Sequence, residues 1–310
     1  MAGGSRICPE CGGLNGADAE RCFRCQRPLP GAVSSAAGQL WRSALGSEFP
    51  VTKLFMGLCF VVFLLCFFSD RRVPIWFTDA WNSSTYVRWG GLIGKLVREE
   101  PWRYLSAVFV HFGLLHLGLN MWSLADMGRI TEQRVGPGRL AVIFVVTGIV
   151  GFVASDLWNT LMGSHPPTAG ASGSLFGLMG ALIGSVYARR DPAWKEVLIR
   201  LFVYAAVFAL VVRVNNAAHA GGFLAGAPLG YLFEKERRPR QRDRVFNRVG
   251  VALVILSIAS VALSARSIWW RVIQQQEELR GSALLEHRPD GPSGATILRS
   301  VREVLPLLES

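Results

Sequence analysis

Charged residues are the first scarcity in this chain. Asp, Glu, Lys and Arg make up 18% of the 310 residues, hydrophobic types make up 51%, and the mean hydropathy is +0.31. A soluble domain carries about 25% charged residues, and the deficit here falls in long apolar blocks, which excludes an ordinary soluble fold. A second absence concerns targeting. Residues 1–40 contain no continuous apolar core, so no secretory signal peptide is read there and the N-terminus is expected to stay in the cytosol. Cysteine is sparse as well, with six in all. Cys8, Cys11, Cys22 and Cys25 lie in a polar stretch where a reducing cytosol favours metal over disulfide, while Cys59 and Cys66 sit in an apolar run and read as ordinary thiols.

The apolar blocks are long enough to cross a bilayer. A hydrocarbon core of about 30 Å takes about 20 apolar residues as helix. Seven spans are expected, near 51–69, 104–126, 138–161, 171–188, 196–213, 217–233 and 247–265. The fourth and sixth are glycine-rich and less apolar, which suits helices buried among other helices. The formal charge of +11 and pI near 10.0 would suggest a nucleic-acid partner in a soluble protein. The distribution of the charge assigns it instead to loops beside an anionic leaflet. Connections 127–137, 189–195 and 234–246 carry the Arg and Lys residues, the last as a dense run from Lys235 to Arg244. Connections 162–170 and 214–216 carry none. This positive-inside pattern places the N-terminus in the cytosol and the tail 266–310 outside. The long loop 70–103 is mixed in charge, contains aromatic stretches and is expected on the outer side.

Cys8-Pro-Glu-Cys11 and Cys22-Phe-Arg-Cys25 are two CxxC knuckles ten residues apart. Four thiolates close a tetrahedral Zn²⁺ site, and a segment this short and polar has nothing else to hold it. The site has no open coordination position, so the zinc is expected to be structural. Residues 1–30 then form a zinc ribbon and 31–50 a Pro-, Gly-, Ala- and Ser-rich linker.

Polar groups inside apolar spans are costly and usually functional. The second span holds His111, His116 and Asn120, the fourth begins with Ser172, and the sixth begins with Asn216 and His219. His116 and Asn120, at i and i+4, share a helix face. After Ser172, glycines recur at 173, 177, 180 and 184; after His219 they recur at 222, 226 and 230. Two such smooth faces allow close backbone approach and would set a serine against a histidine. A serine hydroxyl needs a base to take its proton before it can attack. His219 is the candidate base, Ser172 the nucleophile, and His116, Asn120 and the Ser172 backbone N–H the candidate oxyanion donors. No intramembrane acid is evident as a third member, so a dyad is expected.

At these residues the sequence resembles the rhomboid proteases. Trp102-Arg103 resembles the pair that closes the family's first outer loop. His111-x4-His116-x3-Asn120 resembles the element in its second core helix. Gly170-Ala-Ser172-Gly173 is similar to its nucleophile motif, and Ala218-His219-x2-Gly222-x3-Gly226 to its base motif. The resemblance implies an all-α polytopic membrane protein with a six-helix core over 51–233, a basic cytosolic loop at 234–246, and a seventh transmembrane helix at 247–265. It implies an intramembrane serine endopeptidase acting through an acyl-enzyme, without a cofactor, on single-pass or other transmembrane proteins near the extracytoplasmic boundary. A substrate helix would enter beside spans two and five. Phe176 occupies the position where the family stacks an aromatic ring on the base. Many members have Tyr there, so orientation of His219 rests more on packing in this chain. Asn216 is expected to shape the surroundings of the base, and His111 to be structural. The expected location is a bacterial inner membrane, in contact with lipid, with a cytosolic protein as a candidate partner of the ribbon. A silent rhomboid-like client binder is the nearest competing reading. A transporter is a distant one, since no inverted repeat or acid–base-paired span is present.

Overall fold

A computed structural model of the chain describes residues 6–7, 13–16, 19, 21–26, 49–70, 81–190, 192, 194–211, 215–236 and 239–286. The contacts divide the chain into two compact units, Met1–Pro50 and Val51–Ser310.

In the first unit, β1 (Arg6–Ile7) pairs antiparallel with β2 (Leu14–Asn15). Asn15 is buried and ties the turns together: its Nδ2 donates to the Gly13 carbonyl at 2.7 Å, and its Oδ1 accepts from Phe23 N at 2.9 Å. Cys22 is fully buried. Cys8, Cys11 and the linker residues 31–48 lie outside the described residues.

The second unit is helical. Its elements are α1 (Pro50–Ser69), α2 (Ser83–Arg88), α3 (Arg103–Ser106), α4 (Leu114–Ser123), α5 (Arg129–Val135) and α6 (Pro137–Met162). They are followed by α7 (Ser172–Arg189), α8 (Trp194–Val211), α9 (Asn216–Lys235), α10 (Pro239–Arg266) and α11 (Trp269–Glu286). Among the described residues, α1, α6 and α10 from Arg242 are long and apolar enough to cross a membrane. Only 39% of the apolar window of α1 and 33% of that of α10 is buried inside the protein. Phe60, Val61, Phe68, Ile255, Leu256 and Ile258 are each half or more exposed. A continuous apolar surface of this kind is unsuited to water and fits a hydrocarbon surround.

The expected span at 104–126 is broken rather than continuous. A short helical segment, Arg103–Phe109, is followed by Leu114–Val135 at 94° to it; counted as one broken span, the pair makes four. Tertiary bonds impose the break: Gly170 N donates to the Ala107 carbonyl at 2.9 Å and Trp81 Nε1 to the His111 carbonyl at 2.7 Å. The spans expected at 171–188, 196–213 and 217–233 are helical over their described residues, as α7, α8 and α9. They fall short on hydropathy or charge because glycine and serine dilute α7, glycine, Asn216 and His219 dilute α9, and α8 opens with Lys195, Glu196 and Arg200.

Two charged residues knit the ends of these helices. Glu132 on α5 accepts Val51 N at 3.0 Å and Thr52 N at 2.9 Å, placing a carboxylate at the positive end of α1. Arg139 on α6 pairs with Glu236 at 2.7 Å and Asp243 at 2.5 Å, binding the end of α9 and the start of α10. Most of 127–137 and much of 234–246, expected as loops, are therefore helical ends. The tail beyond 266 is helical as well, over α11.

Candidate active site

The site is built on the most extensive helix pair in the molecule, α7 against α9. The two glycine stripes face one another. A Cβ placed on Gly222 would overlap the carbonyl of Gly173, one on Gly226 that of Gly177, and one on Gly230 that of Ala181. From the other side, Gly180 meets Phe223 O and Gly184 meets Ala227 O. Backbone thus touches backbone along successive turns, and the two helix starts are held at a fixed spacing.

Ser172 is the first residue of α7 and His219 lies in the first turn of α9. Their side chains meet, with His219 Nε2 2.8 Å from Ser172 Oγ. The ring of Phe176, one turn after Ser172, stacks on the His219 imidazole at 4.0 Å between centroids and 10° between planes. Phe176 therefore fixes the ring plane by packing alone. His219 is buried and Ser172 half-buried. The backbone N–H of Ser172 stands at a helix start, where no acceptor exists within the helix.

His116 comes to the same place from α4. Phe112 N donates to His116 Nδ1 at 3.3 Å, which makes Nδ1 the acceptor and leaves the proton on Nε2. That nitrogen faces the turn before Ser172. A Cβ on Gly170 would stand 2.9 Å from His116 Nε2 and 2.7 Å from Cε1, and Gly170 has φ of +119°. Both its conformation and its neighbour require glycine there. Asn120 is fully buried one turn on, and its Nδ2 donates to the His116 carbonyl at 2.8 Å, leaving its second N–H for another acceptor. The fully buried His111 has Nδ1 3.2 Å from the Phe109 carbonyl and supports the break between α3 and α4.

Trp102 and Arg103 stand where the loop joins α3. The Trp102 carbonyl accepts from Leu105 N and Ser106 N. Arg103, fully buried, pairs with Glu100 at 2.5 Å and donates to the Val87 carbonyl at 2.6 Å and the Gly91 carbonyl at 3.2 Å. It organises the loop and does not reach the Ser–His pair.

Asn215 and Asn216 stand together at the start of α9. Asn216 is exposed, whereas Asn215 caps α9: its Oδ1 accepts Ala218 N at 3.0 Å and its carbonyl accepts His219 N at 3.1 Å. Asn215 Nδ2 donates to Ser155 Oγ on α6 at 2.6 Å. An Asn three positions before a first-turn N–H is a helix-start signal that sequence alone contains.

These features define a helical membrane protein with a serine–histidine pair at the starts of two close-packed helices. Residues 98–236 match the family model described as the Rhomboid domain. "RHOMBOID-like protein 5" of Arabidopsis thaliana is 36% identical over 155 residues, covering 48% of this chain and 49% of that protein. "Rhomboid protease GluP" of Bacillus subtilis (strain 168) is 29% identical over 180 residues, 56% of this chain and 33% of that protein. "Inactive RHOMBOID-like protein 8" of Arabidopsis thaliana is 32% identical over 152 residues, 46% and 42% of the two. The chain thus spans about half or less of the length of these relatives. The domain match and the relatives support the rhomboid family, and with the apolar helices they support an integral membrane protein. Ser172, His219, His116 and Asn120 all lie within the matched residues, while α10, α11 and the cysteine knuckles lie outside them.

Proposed function

We propose that this chain is an intramembrane serine endopeptidase with Ser172 as nucleophile and His219 as general base. The observation that carries the reading is the 2.8 Å approach of His219 Nε2 to Ser172 Oγ. One relative bears the name inactive, so the reading rests on this pair and not on likeness alone.

With its own proton on Nδ1, His219 accepts the Ser172 hydroxyl proton at Nε2 as Oγ attacks a peptide carbonyl carbon. The resulting oxyanion is held by His116 Nε2–H, the second N–H of Asn120 and the Ser172 backbone N–H. His219 returns the proton to the leaving amine, and an ester of Ser172 remains. Water then gives a proton to His219 while attacking the ester, and collapse restores the serine and releases the acid. Every proton and bond balances between the two side chains, water and substrate, so the reaction as proposed calls on no cofactor.

The substrates are transmembrane proteins. A helix hides its carbonyls in i→i−4 bonds, so attack requires a segment that unwinds near the membrane boundary. The positive-inside pattern supports an N-terminus in the cytosol of a bacterial inner membrane and an active site toward the opposite face. On the cytosolic side, Cys8, Cys11, Cys22 and Cys25 would hold a structural Zn²⁺. Their thiolate chemistry fits that ion, Cys22 is buried, and its Sγ accepts Arg24 N at 3.4 Å, a bond compatible with a thiolate ligand. A cytosolic protein is the partner we assign to this ribbon.

The test is cleavage of a model transmembrane protein by the purified chain in proteoliposomes. Ser172→Ala should abolish cleavage with its melting transition retained; undiminished cleavage would refute the assignment.

A further inference from the structure

Beside the proposed oxyanion donor, a series of rings leads from His116 to α2. The His116 ring lies near-parallel to Phe112, 5.6 Å between centroids and 16° between planes. Phe112 in turn stacks with Tyr86 at 5.3 Å and 8°. Tyr86 belongs to α2, is 3% exposed, packs its ring on Gly91 and donates its hydroxyl to the Leu92 carbonyl at 3.2 Å. The position of α2 therefore sets the position of the Tyr86 ring.

A six-residue helix has no stability of its own. Its neighbours hold α2 at both ends. At its start, Asn82 N donates to Asp70 Oδ2 at 2.7 Å, Ser83 N to Glu277 Oε1 at 3.0 Å and Ser84 Oγ to Glu277 Oε2 at 2.7 Å. At its end, Arg103 binds the Val87 carbonyl. Glu277 comes from α11, which is itself anchored. Trp269 N donates to Ser267 Oγ at 3.1 Å, Trp270 Nε1 to the Ala265 carbonyl at 3.2 Å, and the Arg88 guanidinium lies 4.5 Å from the Trp270 ring. Just before the turn, Ser264 Oγ on α10 lies 3.3 Å from Ser106 Oγ on α3. The two helices that follow the matched residues are thus fastened to α3 and α2, and α2 carries the Tyr86 ring that stacks on Phe112.

We propose that Glu277 is a positioning residue for His116, acting through α2 and the Tyr86–Phe112 ring pair. The inference rests on the reading of His116 as an oxyanion donor. Loss of the carboxylate frees two donors at the start of α2. The Tyr86 ring then relaxes, and the Nε2–H of His116 loses its fixed aim. Glu277 bonds to Ser83 and Ser84 and acts at a distance from the Ser172–His219 pair, so the inference places the loss on kcat and not on KM.

The experiment uses the full chain in proteoliposomes with a model transmembrane substrate. Glu277→Ala should lower kcat about fivefold with KM changed less than about twofold, a small share of the roughly hundredfold a 1 Å misplacement can cost. Glu277→Gln should recover most of the rate, because its amide oxygen still accepts Ser83 N–H and its amide nitrogen donates to Ser84 Oγ. In a Phe112→Leu background, where the ring series is already cut, Glu277→Ala should cost less than about twofold more. An unchanged kcat in Glu277→Ala, or the same fold loss in both backgrounds, overturns the inference. His116→Ala is measured beside them. If it leaves kcat unchanged, the oxyanion reading fails and the inference falls with it. If it lowers kcat while the other two losses simply multiply, only the inference fails.

Discussion

Gly222 lies so close to Gly173 that a Cβ on it would overlap the Gly173 carbonyl carbon and oxygen. Ser172 directly precedes Gly173, and His219 stands one turn before Gly222, so this backbone contact sets the distance across the Ser172–His219 pair. Gly222→Val should part the two helices. We expect the cleavage rate to fall at least about a hundredfold and the fold to lose about 1–3 kcal/mol from overpacking, read from turnover and thermal melting. Gly57→Ala is the control, since a Cβ there meets nothing within 4 Å and should leave the rate unchanged.

Asn120 offers one amide N–H to the His116 carbonyl, and the proposed mechanism assigns the other to the oxyanion. Asn120→Ala should slow turnover by about 10²–10³-fold, the usual cost of removing an oxyanion donor. Steady-state kinetics in detergent reads this directly, and an undiminished kcat would remove Asn120 from the mechanism.

Asn215 holds the first turn of α9, the turn that carries the base, to Ser155 on α6. Asn215→Ala should cost about 1 kcal/mol in stability as a lost cap and also slow acylation, because His219 sits where the helix frays first. Asn215→Asp should restore both. A carboxylate oxygen still accepts Ala218 N–H, and the Ser155 hydroxyl turns to donate to the other. Equal kinetics in all three chains would show that the cap does not reach the base.

Zinc and catalysis are separable in this account. A chelator should strip the ribbon of a site worth roughly 10–16 kcal/mol of folding free energy in small zinc domains. Bound metal measured by elemental analysis should fall from one ion per chain to none, while cleavage in detergent persists. Loss of cleavage in step with the metal would contradict the modular division.

Much of this site could be read from the sequence because a membrane makes polar residues conspicuous. Ser172, His219, His116 and Asn120 interrupt apolar runs, and the two glycine stripes gave the reason the first two should meet. Other features carried no such mark. Residues 110–113 contain no proline, and one histidine and one glycine do not by themselves end an apolar run, so the break between α3 and α4 shows only when Gly170 and Trp81 bond to this segment from elsewhere in the chain. The capping role of Asn215 depends on where α9 starts, and a sequence pattern places a helix start only to within a residue or two. The tail beyond 266 carries no motif that assigns it a role, and the structure brings Glu277 to Ser83 and Ser84, some 190 positions earlier in the chain. The spans at α7 and α9 were recognised through their glycines, the same residues that lower their hydropathy.

The central claim is that His219 activates Ser172, and covalent labelling tests it most directly. The purified protein is treated with a fluorophosphonate and the adduct is located by peptide mass spectrometry. The account predicts a single adduct on Ser172, formed by the native chain and lost in His219→Ala. Substrate cleavage by a chain whose Ser172 stays unlabelled, or labelling that survives His219→Ala at the native rate, would contradict it.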